Sequence, residues 1–169
     1  MNYQTLDASL YNNLLLAGFT NLKNNVDEVN DLNVFPIPDG DTGDNKLATI
    51  GGGVNIIKDL KNISLSEITK KASDGMLLSA RGNSGVILSQ MFDGIAKGFE
   101  NVEISDVSTL ASAIKLGVQY AYQSVETPVE GTMLTVIKDA SEFALTKVNS
   151  SSDVLSYFND FVLEAQNAL

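Results

Sequence analysis

The chain has 169 residues, a net charge of −10 and 44% hydrophobic residues, which suits one domain with a sizeable core. It contains no cysteine, which excludes disulfides and thiolate sites, and no histidine, which excludes Ser-His catalysis and most zinc or iron sites. Any metal must therefore be held by oxygen, which favours Mg²⁺, Ca²⁺ or Mn²⁺. The negative charge argues against nucleic acid and anionic membranes. With no basic leader and no long apolar run, we expect a cytoplasmic protein without membrane insertion.

Most of the sequence has the three- and four-residue apolar spacing of amphipathic helices. The alternating pattern typical of strands is confined to "VEIS" at 102–105. We therefore predict an all-α fold, an antiparallel bundle or barrel of sequential helices. The apolar rows are Leu10, Leu14, Ala17; Leu15, Phe19, Leu22, Val26, Val29; Ile87, Met91, Ile95, Phe99; Leu110, Ile114, Val118, Ala121; Leu134, Ile137, Ser141, Leu145; and Leu155, Phe158, Val162, Ala165.

Local signals predict where several helices begin or end. Ser64 and Glu67 have the spacing of a capping box, so a helix is expected to start near Leu65. "TPVE" at 127–130, with threonine, proline and glutamate in the order of a helix start, predicts another. Asp153 is expected to cap the last helix. "GGG" at 51–53 is expected to weaken or end a helix.

The segment "NVFPIPDGDTGDN" at 33–45 concentrates aspartates where proline and glycine control the backbone. Asp39 and Asp41 can converge if Gly40 bends the chain, and two close carboxylates repel one another unless a cation joins them. The spacing does not fit an EF-hand, whereas Mg²⁺ accepts one or two carboxylates and completes its shell with water and phosphate oxygens. A helix starting near Thr42 would offer backbone N–H groups to phosphate. The alternative is an Asx-turn and helix cap without a ligand.

Two further glycine-containing stretches interrupt the helical pattern. "SARGNSG" at 79–85 contains the only arginine of the chain, Arg81, which would pair with a phosphate or with a surface carboxylate. "PVEGTML" at 128–134 would suit an adenine ring, or simply a helix start with a buried Met133. Neither a P-loop nor a Rossmann fingerprint occurs.

These three segments together resemble the nucleotide-binding (DhaL or DAK2-type) domain of the dihydroxyacetone kinase family. The chain is most similar to the N-terminal ATP-binding domain of bacterial fatty-acid kinases, through "NVFPIPDGDTG", "SARGNSGVILSQ" and "PVEGTMLTV". The resemblance extends from about Leu6 to the end of the chain. It implies one domain over residues 1–169, truncated at its C-terminus. The family's domain is a barrel of eight amphipathic helices that binds ATP or ADP and two Mg²⁺ at one end.

The resemblance also implies roles for individual residues. Asp39 and Asp41 would be the catalytic metal ligands, and Asn33 would replace the family's third metal-binding acid. The residues implied for nucleotide binding are Thr42, Gly43 and Asn45 by the phosphates, Asn83, Ser84 and Gly85 in the second loop, and Thr132 and Met133 near the adenine.

Two departures from the family pattern stand out. Asp44 and Lys46 replace the usual threonine and methionine, so the carboxylate would repel phosphate unless it binds metal, points outward or is offset by the lysine. The family's C-terminal "Asp-Ser-Gly-Gly" segment and last helix do not follow Leu169, so we expect that helix to be missing.

The implied activity is that of a kinase, which transfers the ATP γ-phosphate to an acceptor presented by a partner protein. The expected acceptor is a fatty-acid carboxylate presented by a separate fatty-acid-binding protein similar to DegV. Phosphoryl transfer depends on positioning and charge neutralisation, so a chain without histidine or cysteine can perform it. Open alternatives are the nucleotide subunit of a dihydroxyacetone-type kinase, a non-catalytic regulatory domain and a purely structural bundle. A homodimer through other regions is also compatible with the sequence.

Overall fold

A computed structural model of the chain describes residues 3–34 and 38–169, and their regular structure is entirely α-helical. The all-α class is confirmed, as is the helix number of eight. The described part of the chain contains eight helices, one of which, α2, has only six residues. The helices are α1 (Ala8–Asn24), α2 (Val26–Asp31), α3 (Thr42–Ile57), α4 (Leu65–Ser79), α5 (Gly82–Gly98), α6 (Val107–Gln123), α7 (Met133–Lys147) and α8 (Val154–Asn167).

Two of the predicted helix starts are confirmed by their caps. The Ser64 hydroxyl accepts a hydrogen bond from the Glu67 N–H at 3.1 Å, and the Glu67 carboxylate accepts one from the Ser64 N–H at 3.2 Å. At α8 the Asp153 carboxylate accepts from the Ser156 N–H at 2.7 Å. Each bond satisfies a backbone donor that a helix start otherwise leaves unpaired.

The helix start predicted with Thr127 as N-cap is wrong, because the N-cap of α7 is Thr132, five residues later, and the helix begins at Met133. Gly131 has a φ of +78°, a left-handed conformation that interrupts a helix. Among the described residues, the Glu130 side chain makes no hydrogen bond with residue 127. It reaches forward instead, to Thr135 and Lys138 of α7.

The short alternating pattern at 102–105 does not form a strand; it forms one isolated bridge and contacts the start of α4. Ser105 makes one isolated antiparallel bridge with Leu6, and no strand forms in the described part of the chain. The carbonyls of Val102 and Glu103 instead accept hydrogen bonds from the first N–H groups of α4, at Ser66 and Leu65. These carbonyls complete a helix start, so they are not available for a strand ladder.

The three consecutive glycines lie inside α3 and do not end it. A Cβ on Gly52 would overlap the Gly75 carbonyl oxygen of α4, and a Cβ on Gly53 would lie 2.8 Å from the Ala72 carbonyl oxygen. The bare backbone therefore lets α3 and α4 approach closely. The packing offsets the helix-propensity cost of glycine, about 1 kcal/mol per residue.

The core is formed mainly by side chains of α1, α3, α4, α5, α6 and α8. Several of its largest members are fully buried, namely Leu6, Ile57, Leu65, Ile68, Met76, Phe99, Leu110 and Tyr157. None of the helices in residues 3–34 and 38–169 combines the length and hydropathy that a bilayer crossing requires.

Candidate functional site

The acidic loop brings two of the predicted metal ligands together. Asn33 Nδ2 donates a hydrogen bond to Asp39 Oδ1 at 2.6 Å, although the two residues are six positions apart in the sequence. Asp41 occupies the N-cap position of α3 and is exposed, and its carboxylate makes no capping hydrogen bond within the described residues. The extended conformation predicted around Pro36 falls on residues 35–37, which lie outside the described part of the chain.

The donor set of this loop fits a hard cation. The Asn33 carboxamide and the Asp39 and Asp41 carboxylates offer only oxygen ligands, and Mg²⁺ needs only one or two protein carboxylates. Over residues 3–34 and 38–169, no three acidic side chains lie close enough together to form a metal-holding cluster. A Mg²⁺ held here would complete its coordination with phosphate and water oxygens.

Asn30 of α2 holds the start of α3, a role that sequence reasoning missed. Its Oδ1 accepts hydrogen bonds from the N–H groups of Gly43 at 2.7 Å and Asp44 at 3.3 Å, and its Nδ2 donates to Asp44 Oδ2 at 2.9 Å. A Cβ on Gly43 would lie 2.5 Å from the Val26 carbonyl oxygen, so α2 sits directly against this turn. Two N–H groups that were expected to be open to phosphate are therefore already paired. The only sequence signal is that asparagine often caps helices.

The two departures from the family pattern have different environments. The Asp44 carboxylate is bonded to Asn30, and an acid in the first turn of α3 is also stabilised by the helix dipole. Lys46 makes no ion pair with Asp44 in the described part of the chain. Lys46 is half-buried, and burial lowers its pKa below the usual lysine range. The Asp44 carboxylate is therefore stabilised by a hydrogen bond from the Asn30 amide and not by an ion pair with Lys46 in the described part of the chain.

The second loop packs directly on α3. Gly82 has a φ of +59°, and a Cβ there would lie 2.5 Å from Asn45 Nδ2. One turn further on, a Cβ on Gly85 would lie 2.5 Å from Thr49 Oγ1. These contacts set the starts of α3 and α5 side by side and in parallel, so the N–H groups of both helix starts point to the same end of the molecule.

Within this loop, the Ser84 hydroxyl oxygen is buried and has no hydrogen-bond partner among the described residues. Asn83 is exposed, and Gly85 is buried against α3. A buried hydroxyl without a partner is uncommon in folded proteins. Ser84 therefore retains an unused donor beside the start of α5.

A groove of about 780 Å³ opens beside the two loops, between α1, α3 and the end of α4. Its lining is part apolar and part polar, and the charged residues that line it are Asp44 and Arg81. Arg81 is exposed and pairs with no acidic side chain in residues 3–34 and 38–169. The other lining residues are Phe19, Leu47, Ala48, Gly51, Gly52, Asn55, Leu78, Ser79 and Ala80.

The third loop lies at the same end of the bundle. A Cβ on Gly94 would meet Gly117, and one on Gly98 would meet Ala113, so α5 and α6 run antiparallel and the start of α5 is level with the end of α6. The Thr132 hydroxyl donates to the Val129 carbonyl at 2.8 Å and accepts from the Leu134 N–H at 3.3 Å. Met133 is half-buried at the first position of α7. Thr132 is therefore a helix cap as well as a predicted nucleotide contact.

The chain is similar to proteins of staphylococci. An uncharacterized protein of Staphylococcus haemolyticus (strain JCSC1435) is 42% identical over 164 residues, which are 97% of this chain and 30% of that protein. An uncharacterized protein of Staphylococcus aureus (strain USA300) is 40% identical over the same length and with the same coverage. The chain thus spans about a third of the length of the curated relatives that it matches.

The DAK2 domain family matches residues 36–169, which include the second and third loops and all but the beginning of the first. This range is well over half of the chain. The chain therefore belongs to the DAK2 domain family, the kinase-type nucleotide-binding domains related to dihydroxyacetone kinase.

Proposed function

We propose that this chain binds ATP with Mg²⁺ and transfers the γ-phosphate to a fatty-acid carboxylate, which a separate fatty-acid-binding protein presents. The main support is the contact between the first two loops, where the Asn45 side chain packs against Gly82 and sets two helix starts side by side. Helix starts with small polar residues are suited to phosphate binding. We place this activity in the cytoplasm. The relatives are about three times as long as this chain, so the identity of the acceptor and of the partner is part of the proposal and does not follow from the family alone.

In this proposal the acidic loop holds the metal and the helix starts hold the phosphates. Asn33, Asp39 and Asp41 provide the protein oxygens for Mg²⁺. The bound Mg²⁺ would offset phosphate charge, which a chain of net charge −10 otherwise repels. Thr42 and Asn45 lie beside the phosphates from the α3 side, and Asn83 and the unpaired Ser84 hydroxyl from the α5 side. Thr132 and Met133 contact the adenine.

The chemistry of the acceptor agrees with the residues of the chain. An oxygen of the acceptor carboxylate attacks the γ-phosphorus, the bond from that phosphorus to the bridging oxygen breaks, and the electron pair leaves with ADP. The products are an acyl phosphate and ADP. A carboxylate is already ionised at neutral pH, so no side chain has to remove a proton from it. A sugar hydroxyl, as in a dihydroxyacetone-type kinase, would by contrast need a general base to remove its proton.

Calorimetric titration with ATP, in Mg²⁺ and separately in EDTA, tests the binding step. We expect binding only with Mg²⁺, and we expect Asp41→Ala to abolish it while the circular dichroism of the helices is unchanged. Asp59→Ala is the matched control, because Asp59 is an exposed acid just beyond the opposite end of α3. A metal role for the loop would be contradicted if ATP bound equally well in EDTA and in Mg²⁺. It would also be contradicted if Asp41→Ala unfolded while Asp59→Ala stayed folded.

A second candidate function is a non-catalytic nucleotide-binding domain. It is favoured by Asn30, which already occupies the Gly43 and Asp44 N–H groups, and by the carboxylate of Asp44 beside them. Turnover separates the two functions. A catalytic domain forms ADP and acyl phosphate when the fatty-acid-binding partner and fatty acid are added, whereas a regulatory domain binds Mg-ATP without turnover.

A further inference from the structure

The loop between α6 and α7 is exposed, yet one side chain ties it to both helices. Residues 126–131 all lie at the surface, and none of them is helical. Glu130 Oε2 accepts a hydrogen bond from Thr135 Oγ1 at 2.6 Å and forms an ion pair with Lys138 Nζ at 3.3 Å. Glu130 Oε1 accepts from Tyr122 Oη at 3.4 Å. We call Glu130 with Tyr122, Thr135 and Lys138 the Glu130 clamp.

The hydrogen bonds of the clamp continue into the backbone. The Gly131 N–H donates to Thr135 Oγ1 at 2.8 Å, and the same hydroxyl donates to Glu130. This chain of bonds fixes Gly131 in its left-handed conformation, directly before Thr132 and Met133. The side chain of Glu130 therefore determines where the first residues of α7 begin.

The contacts of the clamp favour the charged forms of both Glu130 and Lys138. The hydrogen bonds from Thr135 and Lys138 hold the pKa of the Glu130 carboxyl below its usual range. The bond to Glu130 in turn raises the pKa of Lys138, whose ammonium group lies 5.9 Å from the centre of the Tyr122 ring. A cation at this distance from a ring is attracted to its face. The charged carboxylate therefore keeps three partners oriented on two helices.

We propose that Glu130 is a positioning residue, which holds the loop so that Thr132 and Met133 meet the base of the nucleotide. This inference rests on the proposed function, in which these two residues contact adenine. Exposed pairs contribute little to global stability, so loss of the clamp leaves the fold intact. An unclamped loop has to be ordered when the nucleotide binds, and ordering side chains on binding weakens affinity roughly 3- to 10-fold.

The test compares two ligands that share a triphosphate but not a base. ATP and inorganic tripolyphosphate, each with Mg²⁺, are titrated calorimetrically into the wild type, Glu130→Ala and the control Glu126→Ala. Glu126 is an exposed glutamate in the same loop, so both variants lose one negative charge there. We expect Glu130→Ala to lose roughly 3- to 10-fold in affinity for ATP and to keep wild-type affinity for tripolyphosphate. Glu126→Ala should match the wild type with both ligands.

A conservative variant separates positioning from loss of charge. In Glu130→Gln the carboxamide oxygen can still accept from Thr135, so this variant should recover part of the affinity for ATP. Unchanged ATP binding by Glu130→Ala, or an equal loss for both ligands, would overturn the positioning role alone. A wild-type chain that binds neither ligand would overturn the proposed function, and this inference with it.

Discussion

The close packing of α3 on α4 gives a quantitative prediction for Gly52→Ala. The added Cβ would overlap the backbone oxygen of Gly75 and the Ser79 hydroxyl. The hydroxyl can rotate, but the backbone oxygen cannot, so the two helices must separate. Overpacking of this kind costs about 1–3 kcal/mol, and contact with a rigid atom places the cost at the upper end of that range. The gain in helix propensity returns about 1 kcal/mol, which leaves a net destabilisation of about 2 kcal/mol.

Thermal unfolding followed by circular dichroism measures this effect. For a chain of this length, a net loss of about 2 kcal/mol lowers the Tm by roughly 4–8 °C. Gly18→Ala is the matched control, because Gly18 lies in α1 and no described atom beyond its chain neighbours and its own helix backbone would lie within 4 Å of an added Cβ. This control should gain about 1 kcal/mol from helix propensity and raise the Tm. If Gly52→Ala were as stable as Gly18→Ala, the glycines would not be required for the approach of the two helices.

The remaining predictions concern caps and their dependence on pH. Asp153→Ala removes the cap of α8 and should cost about 1 kcal/mol, measured by urea unfolding; wild-type stability would contradict the cap. Asn30→Ala leaves the part-buried Gly43 N–H and the exposed Asp44 N–H without their acceptor and should cost about 1 kcal/mol in the same assay. The Asp106 carboxylate accepts a hydrogen bond from the Thr109 N–H, and this bond lowers the pKa of the carboxyl. Its contribution to the free energy of unfolding is therefore present near neutral pH and is lost as the pH falls through the folded-state pKa. The Tm difference between wild type and Asp106→Ala should therefore shrink as the pH is lowered towards about 3; a difference that grew in acid would contradict this sign.

The local pattern of the sequence was sufficient for the fold class and for several helix starts. The row Leu110, Ile114, Val118 and Ala121 is buried in α6 as its spacing predicts. The caps of α4 and α8 also form as predicted, because a capping bond joins residues only three positions apart. Such information lies within one turn of helix and can be read without knowledge of the rest of the chain.

The errors fall where contacts outside the recognised motif outweigh its local signal. The start predicted at Thr127 has good cap chemistry, but Glu130 bonds forward to α7 and Gly131 takes a left-handed conformation. The glycines at 51–53 remain helical because α4 packs against their bare backbone. The first outcome depends on residues three to eleven positions beyond Thr127, and the second depends on a different helix.

The candidate site shows the same division. Its residue types, with oxygen ligands in the acidic loop and glycine with small polar residues in the other two, are present in the sequence alone. Tertiary structure decided that Asn30 pairs with the start of α3 from thirteen residues away, and that Asn45 meets Gly82. The sequence thus determined which helices form and which chemistry the loops can offer, because both depend on local spacing and residue type. Only packing between helices decided which loops lie together and which N–H groups stay open, because those contacts join residues far apart along the chain.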